Sequence, residues 1–182
     1  IGVPLREAVM FVHNTLTGAG LREQIRIGAS GKLISAFDIA SVIALGADWA
    51  NSARGFMFAV GCIQSQVCHT NTCPVGVATQ DPRLQKALVV SDKARRVYNF
   101  HHNTMHALAE LLSAAGLSHP AQLEPRFLVH REANSELRPY NQLHVYLEKN
   151  ALLAGNLTDS FYQRMWAKAQ AESFSAQAIT GE

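Results

Sequence analysis

Three cysteines fall within twelve residues, as Cys62-Ile63-Gln64-Ser65-Gln66-Val67-Cys68-His69-Thr70-Asn71-Thr72-Cys73-Pro74, and the chain has no others. The spacing is Cys–x5–Cys–x4–Cys and the run closes on Cys-Pro. Three thiolates on one loop can converge on a metal centre, and a closing Cys-Pro also ends bacterial ferredoxin cluster runs. Three ligands suit a three-iron cluster with one empty corner. A Cys3His zinc site using His69 is the rival, although zinc knuckles usually bring two cysteines within two to four residues. The bland alternative is three buried free thiols. An odd, clustered set makes a poor disulfide framework and suits a reducing compartment.

A second set of residues reads as a phosphate cradle. Gly28-Ala29-Ser30-Gly31-Lys32 follows one apolar run and Ser52-Ala53-Arg54-Gly55 follows the next. Small residues let backbone amides approach a phosphate, and a following helix N-terminus adds partial positive charge. Lys32 and Arg54 could pair with phosphate oxygens. In (β/α)8 barrels the recurrent phosphate site lies in the loops after the last two strands. Tight turns with a surface Arg are the bland alternative. His102 and His106 stand one helical turn apart, as metal ligands can, but no third ligand accompanies them. They and His13 and His101 read as surface or half-buried histidines.

The elements that must position these groups follow from periodicity. Leu5, Val9, Val12 and Leu16 keep helical spacing after Pro4, and Gly18 and Gly20 end that helix. Ile25 to Ala29 reads as a short strand. Ser35 and Asp38 form a capping box for a helix that stops at Gly46. Ala47 to Ala53 reads as a second strand. A strand–helix–strand run of this kind predicts a parallel pair. Phe56 to Val60 is a helical turn, and the stretch 61–82 a loop. Ser91 or Asp92 caps a long helix to Ala115 with an apolar stripe at Ala94, Val97, Tyr98, Met105, Leu108, Leu112 and Ala115. Pro120, Pro125 and Pro139 break up the stretch beyond it. A last helix starts at Leu157-Thr158-Asp159 and reaches about Ala171, and 173–182 reads as a loose tail. Gly55 and Cys62 are seven residues apart. That gap spans roughly 10 Å as helix and about 25 Å fully extended, so the cysteines stay close to the second loop.

Bulk composition narrows the class. The chain has 182 residues, 48% hydrophobic and 16% charged, with a formal net charge of +2. That is a folded chain with no electrostatic case for nucleic acid. No apolar run has the ~18 residues of a membrane span, and no signal peptide is visible. A cytoplasmic setting is expected, with a membrane anchor on a longer parent left open. The chain starts at Ile1, which suggests a fragment or processed product. Two strands cannot close a sheet, and their edges and one face need covering. The expectation is therefore an incomplete α/β unit. It needs the missing N-terminal part of its barrel, a second chain, or an oligomer that buries those edges.

The runs Ile25–Lys32, Phe37–Ala40, Gly46–Asp48 and Ala53–Ala59, with the cysteine run continuing to Val75-Gly76-Val77-Ala78-Thr79-Gln80-Asp81-Pro82, resemble the FMN-binding domain of glutamate synthases. The likeness is nearest to the shorter glutamate synthase-like proteins without an amidotransferase domain. It covers roughly residues 1–123, and the segment 62–82 is its most specific part.

The resemblance implies the C-terminal portion of a (β/α)8 TIM barrel: last strands and helices over 1–60, a cluster loop over 61–82, a helical extension over 83–172 and a tail over 173–182. It implies FMN and a 3Fe–4S cluster, with Cys62, Cys68 and Cys73 as cluster ligands and Ser30, Gly31, Lys32, Ala53, Arg54 and Gly55 at the flavin. The large members of the family carry Asp-Gly where this chain has Ser30-Gly31, and a different loop near Ala53 to Phe56. The implied reaction is reduction of 2-iminoglutarate, formed from 2-oxoglutarate and ammonia, to L-glutamate. Electrons would come from a donor, a role that a separate protein could fill. No catalytic acid or base is assigned, and the isolated chain is not expected to be a competent catalyst. A non-enzymatic zinc- or cluster-bearing interaction module is the alternative.

Overall fold

The computed structural model describes residues 2–173 except 134, 156 and 158. Helix α1 spans Leu5–Gly18, and strand β1 covers Gly28–Ser30. Helix α2 (Ala36–Ala44), strand β2 (Trp49–Asn51) and helix α3 (Ala53–Ala59) follow. β1 and β2 pair in parallel, in the register Gly28–Trp49, Ala29–Ala50, Ser30–Asn51. The expected strand–helix–strand unit is therefore present, and the described chain is a mixed α/β structure with two small sheets.

Both strands are shorter than expected, and local hydrogen bonding explains why. The residues before β1 fold into a turn, with the Gln24 and Ile25 amides bonded to the Leu21 carbonyl. Ile27 is held by Asp48 twice: its amide donates to the carboxylate at 2.7 Å, and its carbonyl accepts the Asp48 amide at 2.8 Å. At the far end, Ala53 starts a helix instead of ending a strand, so Ala53-Arg54-Gly55 is the first turn of α3. The Ser35–Asp38 capping box forms as expected: Ser35 Oγ accepts the Asp38 amide, and the Asp38 carboxylate accepts the Ser35 amide.

Gly28 is required by its neighbour across the register. A Cβ on it would meet the Trp49 indole at 2.6 Å. The core of this unit gathers Val9, Met10, Ile27, Ala29, Leu33, Val42, Leu45 and Leu128.

After α3 the chain is irregular up to α4 (Pro82–Gln85), then enters the long α5 (Val90–Ala114). α5 starts at Val90 with no side-chain cap, so neither Ser91 nor Asp92 serves as the cap. Its expected stripe is only half correct. Leu108 and Leu112 pack on Ala36, Ile39 and Ala40 of α2, whereas Tyr98 is exposed and stacks on His102 at 5.7 Å. The N-terminal half of α5 packs on α3 instead, through an edge-on contact of Phe56 and Phe100 at 5.1 Å.

The remaining chain returns to α1. A hairpin of β3 (Val129–Arg131) and β4 (Leu137–Pro139), which periodicity did not predict, leads through α6 (Tyr140–Leu143) and α7 (Ala151–Ala154) to α8 (Ser160–Lys168). The buried Asn14 clamps this segment: its Nδ2 donates to the Val145 carbonyl at 2.9 Å, and its Oδ1 accepts the Leu147 amide at 3.0 Å. Phe11 stacks on Tyr162, fixing α8 against α1. α8 is capped by Asp159 and ends at Lys168, short of Ala171. The expected start at Thr158 and the tail beyond Ser173 lie outside the described residues. No helix among the described residues is long and apolar enough to cross a membrane.

Candidate functional site

Parallel pairing sets the carboxyl ends of β1 and β2 side by side, so the segments leaving them meet. Ser52 Oγ donates to the Leu33 carbonyl at 2.7 Å and ties the two exits together. Lys32 takes a left-handed backbone, φ +57°, just after Gly31. A cavity of about 530 Å³ opens at this end, bordered by Ser30, Gly31, Lys32, Ala53 and Arg54, and also by Cys62 and Cys68. Both cations and two of the three cysteines thus face one space. Gly55 is buried and does not border it: α5 approaches so closely that a Cβ there would sit 2.6 Å from the Phe100 ring.

Five further residues of this cavity escaped sequence reasoning as site residues: Asn51, Met57, Phe58, Gln64 and Gln66. Asn51 ends β2, and Met57 follows Arg54 by one helical step. No pattern marks the glutamines. They are placed by left-handed backbone at +57° and +61°, which costs a non-glycine residue about 1 kcal/mol or more. Strain of this kind collects at ligand clamps.

The cysteine loop begins immediately after α3, where the Cys62 amide donates to the Met57 carbonyl. Cys62 Sγ accepts the Gln64 amide at 3.5 Å. Cys73 is buried, and the turn after it wraps it in amides. The Ala78 and Val75 N–H groups, with Val77 and Gly76, pull its thiol pKa below the ordinary value against the opposing effect of burial. Gly76 makes this wrap possible: its φ is +78°, and a Cβ would strike the Leu84 carbonyl at 2.5 Å. Asn71 and Thr79 brace the same arch. Thr79 Oγ1 donates to the Asn71 carbonyl at 2.6 Å, and Asn71 Oδ1 accepts the Gln80 amide at 2.6 Å.

All three thiols are free; Cys68 is exposed and Cys62 half-buried. Cys73 is not among the residues bordering the cavity. No group of three His, Cys, Asp or Glu among the described residues is arranged to hold a metal ion. His69 is exposed, as are His102 and His106, the latter 3.6 Å from Glu110.

At the opposite end of the strands lies a polar knot. Asp48 receives Arg22 at 2.9 Å and Arg26 at 3.1 Å, and Arg22 Nε also donates to His13 Nδ1 at 3.1 Å. A wider groove of about 950 Å³ runs from this knot past Trp49, Ala50 and Phe56 to Leu108. The knot lies at the start of the strands, away from the cysteine loop.

A family model described as the conserved region in glutamate synthase matches residues 1–118. The chain belongs to the glutamate synthase family. It is 47% identical over 137 residues to the glutamate synthase large subunit-like protein YerD of Bacillus subtilis, covering 75% of this chain and 26% of that protein. It is 40% identical over 118 residues to the archaeal glutamate synthase [NADPH] of Methanocaldococcus jannaschii, covering 65% of this chain and 23% of that protein. The glutamate synthase [NADH] of Schizosaccharomyces pombe is 35% identical over 115 residues, which are 63% of this chain and 5% of the yeast protein. The chain thus spans about a quarter of the length of its first curated relatives. The family-model match ends just past the close of α5, whereas the 137-residue alignment with the Bacillus subtilis protein extends beyond it.

Proposed function

We propose that this chain is the C-terminal part of the flavin-binding domain of a glutamate synthase-type oxidoreductase, forming the last strand–helix–strand unit of a (β/α)8 barrel. The observation that carries the reading is the shared cavity: Ser30-Gly31-Lys32 and Ala53-Arg54 border the same space as Cys62 and Cys68. Electron transfer requires the cluster to lie close to the flavin ring, and a phosphate cradle beside the cysteine loop keeps the two groups in one neighbourhood.

The residue types suit both groups, although the three cysteines are not drawn together here and Cys73 stands off the cavity. Lys32 and Arg54 are the cations of the cavity, and a doubly charged phosphate matches them. The amide wrap around Cys73 and the Gln64 amide on Cys62 Sγ are the environment in which ligating thiolates are held, since hydrogen bonds to sulfur tune cluster potentials. In this reading Cys62, Cys68 and Cys73 hold a three-iron cluster. FMN, when bound, supplies the hydride chemistry and the cluster supplies one-electron transfer. The chain's own part is to anchor the phosphate through Lys32 and Arg54, to fix their spacing through the Ser52–Leu33 bond, and to hold the thiolates beside them. The substrate of the parent would be 2-iminoglutarate, as in the family's reaction, with L-glutamate the product. The 2-oxoglutarate contacts would come from earlier barrel strands, supplied by the rest of the parent polypeptide or by a second chain.

The test is the visible spectrum and the iron and flavin content of the anaerobically purified full-length parent. A flavin band with a broad cluster shoulder, and about three irons per polypeptide, is expected. A colourless, zinc-loaded protein would replace this reading with that of an interaction module.

A further inference from the structure

Arg6, Met10, Asn14 and Gly18 recur every fourth residue along α1, and the chain that returns to α1 after α5 meets them in the same order. Arg6 Nη1 donates to the Tyr140 hydroxyl at 3.3 Å, and the Tyr146 hydroxyl donates to Met10 Sδ at 3.4 Å. Asn14, 2% exposed, grips main chain on both sides of Tyr146, as donor to the Val145 carbonyl and acceptor from the Leu147 amide. A Cβ on Gly18 would lie 2.7 Å from Leu152 Cγ. A buried carboxamide without partners is costly, so this face of α1 is built to be covered by residues 140–152. By reading backbone groups two residues apart, Asn14 also fixes their register.

The same segment reaches the site from behind. Tyr140 and Tyr146 pack, with Leu128, in the core that holds Leu5 and Leu33. Leu33 supplies the carbonyl that Ser52 bonds. The first turn of α1 lies directly against the cradle: a Cβ on Gly31 would be 3.4 Å from Leu5 Cδ2. A smaller cavity of about 310 Å³ is bordered by Leu5, Arg6, Gly31, Lys32 and Asp38. Gly31 and Lys32 border this cavity and the larger one beside the cysteines, so they form the wall between α1 and the phosphate space. Lys32 holds a left-handed backbone at φ +57°. A non-glycine residue keeps such a conformation only where its surroundings over-determine it.

We propose that the returning segment is a strap that presses the first turn of α1 onto Gly31 and Lys32, and that Asn14 and Tyr140 are thereby positioning residues for a flavin phosphate. The inference rests on the reading of the cavity as a flavin phosphate cradle. Neither Asn14 nor Tyr140 borders that cavity, so both act through α1. With the strap seated, Arg6 and Leu5 back the wall and Lys32 keeps its left-handed turn, which sets its ammonium against Arg54. With the grip of Asn14 lost, α1 is free to shift along the strap, and the wall behind Lys32 slackens. The cost falls on the phosphate, because the strap reaches the ligand only through Lys32 and its neighbours.

The test uses the full-length parent stripped of flavin, titrated with FMN and with riboflavin, which lacks the phosphate, and followed by flavin fluorescence. In Asn14→Ala the FMN affinity is expected to fall roughly fivefold, the equivalent of about one hydrogen bond, while riboflavin binds as it does to wild type. A strap that only stabilises the fold would weaken both flavins alike, or lower the melting temperature and leave both affinities unchanged; either result overturns the inference. If Asn14→Ala fails to fold, Tyr140→Phe decides alone. It removes only the hydroxyl that Arg6 reaches and keeps the ring in the core. Its preference for FMN over riboflavin should drop roughly twofold, as for one weak exposed hydrogen bond, and a wild-type preference overturns the strap. A parent that binds no FMN overturns the flavin reading, and this inference falls with it; a parent that binds FMN, with the wild-type preference kept in the variant, overturns this inference alone.

Discussion

Ser52 Oγ donates a 2.7 Å hydrogen bond to the Leu33 carbonyl, across the carboxyl ends of two parallel strands. The bond, between residues nineteen apart in sequence, joins the segment carrying Lys32 to the turn carrying Arg54. Replacing Ser52 by Ala leaves the Leu33 carbonyl without this donor and should cost about 1 kcal/mol of local stability. In the full-length parent we expect flavin affinity to weaken by roughly fivefold, a factor worth about 1 kcal/mol, read by fluorescence titration. Unaltered affinity would show that the two segments are set by other contacts.

Arg54 stands in the first turn of α3 and borders the cavity. Removing it as Arg54→Ala should weaken flavin binding in the parent by about 1.5–3 kcal/mol, the range for a hydrogen bond to a charged group. Arg54→Lys should recover part of this, because a point charge serves a phosphate without the bidentate fork. An affinity equal to wild type for Arg54→Ala would place this side chain in solvent.

Cys68 is the exposed member of the three thiols and borders the cavity with Cys62. Cys68→Ser should abolish cluster assembly in the parent, with loss of the visible shoulder and of most of the iron. A full complement of iron in the variant would remove Cys68 from the ligand set. Wild type handled in air should lose its cluster and oxidise its thiols, beginning at Cys68.

Acidification should loosen the knot at the amino ends of the strands. Burial, helped by Arg22, pushes the His13 pKa below its ordinary value, against the Gly46 carbonyl and Asp48. The unfolded imidazole therefore takes up its proton first. The stability contributed by neutral His13 is complete above about pH 6.5 and declines as pH falls from there toward the lower folded value. Burial pushes the Asp48 carboxyl up, but the Ile27 amide, Arg26 and Arg22 outweigh it and hold it below the ordinary carboxylate value. Its contribution is present above about pH 3.9 and is lost only at more acidic pH, as pH falls through the folded value. Denaturation midpoints of the parent should thus drop as pH falls below about 6.5. His13→Gln keeps an acceptor for Arg22 without the titration, and should flatten that slope. A variant as steep as wild type would assign the effect elsewhere.

β1 and β2 pair only with each other among the described residues, and Trp49 on β2 is 48% exposed beside the wide groove. Unpaired strand edges are a liability that folds cover. In the parent, further strands should pair with both outer edges and bury Trp49, in an interface well above ~2,000 Å² if a separate chain supplies them. A structure of the parent in which both edges remain solvated would limit the family likeness to this unit.

Sequence alone determined the local parts. The Ser35–Asp38 box, the helix stop at Gly46, the strand–helix–strand order and the two small-residue exits are written in short-range chemistry, where capping and turn residues have few alternatives. The three cysteines were legible for the same reason: their spacing is a local property. What tertiary structure decided is everything that depends on residues far apart in sequence meeting. The β1 start moved because Asp48, twenty-one residues on, bonds the Ile27 amide. The α5 stripe was misread over its first half because that half packs on α3, and Tyr98 turned out to face solvent. Asn14 reaches Val145 across 131 residues, and no period announces such a clamp. The glutamines bordering the cavity, and Lys93 and Arg96 beside Gly61, depend on where left-handed backbone and the first turns of α5 place them. Their chemistry is visible in the letters; their convergence is a product of the packing of α3, the cysteine loop and α5.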